Sequence, residues 1–440
     1  MKLHEILFWF LILLLPTQLG KHFWPDFSLV FGIRVDYLSP TIYLTDILVI
    51  LTLGFWIAEK IKYQISKIKI TKQNSKSLIF LFSVFCFLLF NALLAQNQGA
   101  AFYKLVKITE FSLLGLYVAK NNLLITNYKL PITLAIIYSS LIALAQFFKQ
   151  ASLGGIFYWL GERSFNVQTP GIALADLGGR LFLRPYGTFS HPNSLAGFIL
   201  VALILLLGNS KSTNQLINKL TNLKFEIGQL NDWIIKSYWS LVFILGFSAL
   251  VLSFSHSVWL VGLLAGLWFT AYGIWRKRKI SPQITNYYLL ITFSVLLLLT
   301  GLVLFFNPGF LADEPVILRL QLIKVAILMI KENLLSGVGL NNFVVRLPEY
   351  WQTGSIRFLQ PVHNIYLLIL AETGMAGFLI FLWFLVLTFR KLLEIGNLKL
   401  VIPLLAILLT GVVDHYWLTL QQNQLLATIV FGLAWGKIKS

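Results

Sequence analysis

Long apolar runs recur along this chain from one end to the other, and they constrain its fold more than any other feature. A run of about 20 apolar residues is long enough to cross the hydrocarbon core of a bilayer as a helix. The composition agrees, because 58% of the 440 residues are hydrophobic, only 12% are charged, and the mean hydropathy is +0.78. The sequence therefore predicts an all-α polytopic membrane protein that forms a single integral membrane domain over residues 1–440.

The runs predict about twelve transmembrane helices. Lys and Arg concentrate in alternate connections, and the positive-inside rule then places both termini in the cytoplasm. The predicted spans are residues 4–20, 42–59, 77–95, 102–119, 130–148, 191–208, 238–254, 257–275, 286–306, 363–388, 400–416 and 420–436.

Two long segments fall on the outer side in this topology. Residues 149–190 form an outer loop before the sixth span. Residues 307–362 form a larger loop cap between spans nine and ten, and within it residues 316–333 have the mixed apolar and basic pattern of a helix lying at the lipid headgroups.

The formal charge of +18 raises the question of nucleic-acid binding. The charges are scattered between membrane spans rather than gathered in one domain, so no nucleic-acid partner is predicted. The basic inner loop 60–76 instead suits contact with anionic membrane lipids. The single cysteine, Cys86, excludes an intramolecular disulfide.

A histidine at the mouth of the tenth span is the strongest candidate for chemistry. His363 and Asn364 open the helix, and Gly374 and Gly377 follow in the pattern H-N-x9-G-x-x-G. An imidazole that is neutral near pH 7 suits proton transfer there, while small residues allow close helix packing. The alternative is an interfacial histidine that only caps the helix.

The second polar run extends from Arg184 to Asn193, at the start of the sixth span. Pro192 suits the first turn of a helix, and Ser190 or His191 would cap it. A helix N-terminus flanked by an arginine is a natural anion site. The alternative is a tight turn with no function beyond starting the helix.

A third run, Gly337-Val338-Gly339-Leu340-Asn341-Asn342-Phe343, lies between two arginines, Arg319 and Arg346. Taken alone, its glycines indicate no more than a turn. Glu372, deeper in the tenth span, is either a functional acid or a polar lock between helices. Asp414 and His415 are interpreted as the cap that ends the eleventh span.

The sequence lacks the motifs of several common enzyme chemistries. It contains no H-E-x-x-H, Walker lysine loop, G-x-S-x-G or Asp-x-Asp pair, so neither a metal site nor a nucleotide site, and hence no cofactor, is predicted. Arginine grips phosphate through two parallel hydrogen bonds, and most arginines outside the cytoplasmic clusters fall on the outer side. This distribution favours a donor that carries its own activated diphosphate leaving group.

Taken together, the three motifs resemble the O-antigen ligase and O-antigen polymerase superfamily of bacterial envelope glycosyltransferases. The resemblance rests on Arg184-x-x-Gly-Thr-Phe-x-x-Pro-Asn193, on Gly337-Val-Gly-Leu-Asn-Asn-Phe343 and on the motif that begins at His363. It covers essentially the whole chain, including the outer segment before the histidine helix.

The resemblance implies a metal-independent, inverting GT-C-type transferase. Such an enzyme moves a glycan from undecaprenyl diphosphate to a hydroxyl of a glycan, lipid or protein acceptor on the outer face of the membrane. His363 then takes the role of the catalytic base. Arg184 grips the donor diphosphate, and Arg319 shares that role. The implied supporting residues are His191, Asn193, Asn364, Glu372, Gly374 and Gly377.

The chain departs from the family pattern at one place. Where the family commonly has Ser-Arg, this sequence has Ser255-His256. His256 can donate a hydrogen bond to phosphate but is only partly charged near neutral pH. Either His256 replaces the arginine, or its role moves to Arg319, Arg346 or Arg357.

Two other functions fit the composition. One is a flippase or transporter of lipid-linked sugars without covalent chemistry, and the other is a structural partner in polymer export. Transporters favour broken helices and charges at the bilayer midplane, whereas here the charges gather at one face beside a loop cap. The sequence therefore favours an enzyme, while its acceptor, sugar and linkage stay open.

Overall fold

The computed structural model of the chain describes residues 2–65, 75–121, 128–207, 228–277, 314–351, 359–395 and 398–436. About 70% of the described residues are helical, which agrees with the predicted helical membrane protein. The predicted ninth span, residues 286–306, lies outside the described residues, as does Arg357.

Helices of 4 to 31 residues make up most of the described part of the chain. They are α1 (Leu3–Leu13), α2 (Leu44–Ile65), α3 (Ser75–Leu94), α4 (Gln98–Lys120), α5 (Lys129–Lys149), α6 (Pro192–Leu207), α7 (Gly228–Leu252), α8 (His256–Lys277), α9 (Glu314–Glu332), α10 (Phe343–Tyr350), α11 (Ile365–Ile395), α12 (Val401–Thr410), α13 (Tyr416–Thr419) and α14 (Gln421–Trp435).

Short pairs of antiparallel strands lie in the connections between helices. β1 (Gly20–His22) pairs with β4 (Thr41–Tyr43), and β2 (Leu29–Val30) pairs with β3 (Ile33–Arg34). β5 (Leu174–Leu177) and β6 (Arg180–Leu183) form a hairpin in the segment before α6.

Within the described residues, two helices are long and apolar enough to cross a membrane. They are Lys129–Lys149 and Ile365–Glu394, with mean hydropathies of 1.8 and 2.1. Several other apolar helices are shorter, so the full number of spans stays a prediction.

Two helices end earlier than the spans predicted from the sequence. The first ends at Leu13 rather than residue 20, because Pro16 lacks the N–H that would continue the helix. The eleventh ends at Thr410 rather than residue 416. Asp414 and His415 therefore lie in the turn beyond helix α12.

Helix α6 forms the centre of the larger hydrophobic core. Residues 192–206 are all buried, as expected of a helix that is apolar on every side. Helices α5, α7, α8, α12 and α14 surround it. This packing holds the first turn of α6 in a fixed place among its neighbours.

A second core joins α9 and α10 to the start of α11. It contains Leu322, Met329 and Phe343, together with Val35 and Leu38 from the segment after β3. The helix that carries Arg319 is thereby packed against the helix that follows His363.

Helix α11 is broken near its middle. Gly374 has φ 64° and ψ −171°, outside helical values, in the region of positive φ that suits glycine. A side chain there would collide with the backbone of Leu335 and Gly337, and one on Gly337 would collide with the backbone of Glu372. The two glycines let the Leu335–Gly337 turn lie against the break.

Candidate active site

Arg184 follows directly after strand β6, and its guanidinium is held on two sides. Nε donates to the carbonyl of Ser253 at 2.7 Å, and Nη2 donates to Oδ1 of Asn193 at 2.6 Å. Both acceptors are uncharged, so neither neutralises the arginine. Burial lowers the pKa of Arg184 to about 10, and the side chain remains cationic at neutral pH.

Asn193, in the first turn of α6, links Arg184 to a distant part of the chain. While its Oδ1 accepts from Arg184, its Nδ2 donates to Oδ2 of Asp414 at 2.9 Å. Its backbone N–H donates to Nδ1 of His191 at 3.1 Å, so His191 caps the helix as predicted from its position. A continuous hydrogen-bonded path therefore runs from Arg184 through Asn193 to Asp414.

Asn364 explains why the turn that carries Asp414 meets the start of α11. Its Oδ1 accepts from the backbone N–H groups of Tyr366 and Leu367, both at 2.9 Å, as an N-cap does. Its Nδ2 donates to the carbonyl of Val412 at 2.8 Å. The amide thus starts the helix and fixes it to the 411–415 turn at the same time.

His363 precedes that cap and lies against Asp414 and His415. The rings of His363 and His415 are 4.8 Å apart between centroids. One side-chain nitrogen of each histidine and one carboxylate oxygen of Asp414 all lie within 4.8 Å of one another. Among the described residues, the buried Nδ1 of His363 has no hydrogen-bond partner.

Arg319, on α9, completes the group. It interacts electrostatically with His363, Asp414, His191 and Arg184. We call this group the His363 cluster, and it consists of Arg184, His191, Asn193, Arg319, His363, Asp414 and His415.

Burial sets the protonation states of the cluster histidines, which lie outside the helices. It lowers the pKa of His415 to about 4 and that of His191 to about 3, and it lowers the pKa of His363 well below its usual value. All three are therefore neutral at pH 7. Burial opposes the ionisation of Asp414, but the neighbouring histidines and Arg319 outweigh it and hold its pKa below the usual range.

The cluster therefore carries an uncompensated positive charge at neutral pH. Two arginines face one carboxylate, which leaves one net positive charge. In the described part of the chain, neither Arg184 nor Arg319 forms an ion pair. Together with the neighbouring helix N-terminus of α6, this makes the cluster suited to an anion.

His256 is the first residue of α8 and lies three residues after Ser253, whose carbonyl accepts from Arg184. It interacts electrostatically with Arg184, and its ring lies 5.3 Å from that of Trp259. The structure thus places it beside the cluster rather than at a distance from it.

Arg346 lies in a different environment. Its Nε is 2.6 Å from a carboxylate oxygen of Glu349, and its guanidinium lies over the ring of Tyr350 at 5.8 Å. The contacts that the structure gives this side chain do not join it to the His363 cluster.

Glu372 is buried and anchors the third sequence motif. Its side chain accepts from the backbone N–H of Phe343 at 3.4 Å, and its carbonyl accepts from the N–H of Gly339 at 3.0 Å. These bonds favour the polar lock over the functional acid. Gly377 faces Phe87 of α3, where an added Cβ would lie 3.2 Å from the ring.

Asp414 and His415 were interpreted from sequence as the cap of the eleventh span, whereas the structure places both beside His363. The sequence signal for this position was an acid next to a histidine, between two apolar helices. The described residues also contain a group of metal-ligand types, His363, Asp414 and His415, although no metal site was predicted.

Residues 241–382 match the family model described as O-antigen ligase. The match supports the O-antigen ligase and polymerase superfamily, and thereby a glycosyltransferase or ligase type of enzyme. It includes His256, Arg319 and His363. Arg184 and Asp414 lie outside the matched range, and the structure brings them to the same place. A search of curated proteins found no match.

Proposed function

We propose that the protein transfers a glycan from a lipid-linked diphosphate, of the undecaprenyl diphosphate type, to an acceptor hydroxyl on the outer face of the cytoplasmic membrane. The observation that carries the proposal is the convergence of a neutral histidine with two arginines that form no ion pair in the described part of the chain. A glycosyl transfer of this kind needs a base for the acceptor and cations for the leaving group. The family match supports the same reaction class.

His363 is proposed as the base. The acceptor oxygen attacks the anomeric carbon, its proton passes to the imidazole, and a new glycosidic bond forms with inversion. The carbon–oxygen bond to the diphosphate breaks, and its electron pair stays on the phosphate oxygen. The low pKa of His363 keeps its lone pair available, and Asp414 stabilises the imidazolium that forms.

Arg184 and Arg319 are proposed to bind the donor diphosphate, with His256 beside them. Negative charge grows on the leaving diphosphate in the transition state, so cations fixed in advance lower the barrier. Arg184 is fixed in this way, since Ser253 and Asn193 hold its guanidinium. The arginines and the helix N-terminus supply positive charge that a divalent ion supplies in other transferases, so the mechanism requires no metal.

Purified protein supplied with undecaprenyl-diphosphate-linked glycan and candidate acceptors tests the proposal. With a chelator present, we expect release of the lipid diphosphate together with a new glycosidic bond, followed by mass. The acceptor that yields product separates ligase, polymerase and protein glycosylation. Movement of intact donor across a proteoliposome bilayer, with no product from any acceptor, would instead establish the flippase function.

A further inference from the structure

Three side chains of the His363 cluster have the chemistry of a transition-metal site. Imidazole nitrogens prefer ions such as Zn²⁺, Co²⁺, Ni²⁺ and Cu²⁺ over Mg²⁺ or Ca²⁺, and a carboxylate completes a common ligand set. His363, Asp414 and His415 offer two such nitrogens and one oxygen, all within 4.8 Å of one another. We propose that these three residues bind one divalent transition ion.

Two of the three ligands are already oriented by a second layer of hydrogen bonds. Nδ1 of His415 lies 2.7 Å from Oγ1 of Thr419, which leaves the other ring nitrogen for a ligand. The carboxylate of Asp414 accepts from Asn193 and from the backbone N–H of His415, at 2.9 and 2.8 Å. Such outer partners fix the ring and carboxylate orientation at metal sites.

His363 supplies a second, independent observation. Its Nδ1 is buried and has no hydrogen-bond partner in the described part of the chain. A buried polar atom without a partner is unusual and is explained by an ion or water that it binds. Since this nitrogen has no hydrogen-bond partner among the described residues, it is available to bind a ligand.

The distances are compatible with a tetrahedral ion after a small movement. Ligands at about 2.0 Å from Zn²⁺ lie about 3.3 Å apart. The ligand atoms lie within 4.8 Å of one another, so the most widely separated pair must close by up to about 1.5 Å when an ion binds. The fourth position stays open to water or substrate.

Arg184 and Arg319 oppose this binding, because both carry positive charge beside the site. The charge of Asp414 offsets one of them. The ion is therefore held reversibly, and replacing Arg319 by Gln should tighten Zn²⁺ binding by about threefold, since one repulsive charge is removed.

The consequence for activity rests on the proposed function. A metal-bound imidazole has no lone pair for the acceptor proton, so an ion bound to His363 stops transfer. The site is then an inhibitory one, and removal of the ion by a chelator restores the rate.

Direct binding tests the site without reference to activity. The full-length chain in detergent is stripped of metal and titrated with Zn²⁺ alone against a chromogenic chelator, and Co²⁺ is used to report tetrahedral coordination by its visible absorption. We expect one high-affinity ion per chain. Thr419→Val, which removes only the partner of His415, should weaken binding about 10–100-fold, and His415→Ala should weaken it more.

His22→Ala is the matched control, because His22 lies on strand β1 and its ring forms hydrogen bonds with Ser39 and Thr41. Its Zn²⁺ affinity should equal that of the wild type. No high-affinity ion on the wild type, or equal losses in His22→Ala and His415→Ala, would overturn the site.

The two proposals fail in different ways. If Zn²⁺ binds at the three residues but transfer continues at full rate, the site stands and the base role of His363 is contradicted. If His363→Ala loses transfer in metal-free buffer while the wild type binds no ion, the proposed function stands and the metal site is overturned.

Discussion

Two groups of buried charges in this protein differ in whether their charged side chains form ion pairs with one another. We call the first the Lys107 group, made of Asp46, Lys107, Glu110 and Gln421. Lys107 lies 2.5 Å from Asp46 and 3.4 Å from Glu110, and Gln421 donates to the other oxygen of Asp46. In the His363 cluster, neither arginine forms an ion pair with any described residue, and Nδ1 of His363 has no hydrogen-bond partner among them.

The ion pairs of the Lys107 group indicate a structural role, whereas the arginines of the His363 cluster suit a functional one. Burying charges is costly, and the ion pairs of Lys107 with Asp46 and Glu110 offset part of that cost. The Lys107 group links α2, α4 and α14 in this way. The His363 cluster retains one net positive charge beside a neutral histidine, which suits an anionic substrate that completes the balance.

Asp46→Ala should have the largest effect, and it should act on stability. It leaves Lys107 without its nearest counter-charge, so we expect the free energy of unfolding to fall by about 3–5 kcal/mol. Denaturant unfolding of the detergent-solubilised protein measures the change. Asp36→Ala, at an exposed position, is the matched control, and a loss no greater than in that variant would remove the structural role of the Lys107 group.

Arg184→Ala should have the next largest effect, and it should act on transfer. Removing a cation fixed for the leaving group should lower the rate about 10²–10³-fold, or about 2.7–4 kcal/mol. Arg180→Ala is the control, because Arg180 is exposed on the same hairpin and lies over Phe182. Equal rates in the two variants would show that the cluster does not bind the donor through Arg184.

Asn193→Ala tests the path between Arg184 and Asp414. Both of its side-chain hydrogen bonds are to charged groups, so their loss should cost about 1.5–3 kcal/mol and slow transfer about 10–100-fold. The decisive readout is rescue: Asn193→Gln should recover part of the rate if it regains either bond. An Ala variant with the wild-type rate would mean that the path does not position Arg184.

Arg346→Ala should have the smallest effect. Its ion pair with Glu349 is partly exposed, with side-chain exposures of 24% and 44%, so about 0–1 kcal/mol is expected in stability. Transfer should change by less than about threefold, since this residue is not joined to the cluster. A loss comparable to that of Arg184→Ala would restore the donor-binding role that the sequence suggested.

Local features of the site were predictable from sequence, because they depend on neighbours in the chain. Pro192 begins α6 and His191 caps it, as the residue types indicate. Asn364 likewise caps α11, directly after His363. These effects need only one helical turn of sequence to be recognised.

The assembly of the cluster was not predictable, because it depends on contacts between distant segments. Helices α11 and α12 lie between His363 and Asp414 in the sequence. The packing of the start of α11 on the 411–415 turn brings the two residues together. Similarly, Gly374 was expected to admit a neighbouring helix, whereas it breaks its own helix and receives a turn.

Transfer by His363→Ala, measured together with its unfolding, tests the central claim most directly. Removing the proposed base should lower the rate of glycan transfer by about 10²–10⁴-fold, while donor binding and the unfolding midpoint stay at wild-type values. His22→Ala should match the wild type in all three. Transfer by His363→Ala at the wild-type rate would contradict the account, and so would a loss of activity explained entirely by unfolding.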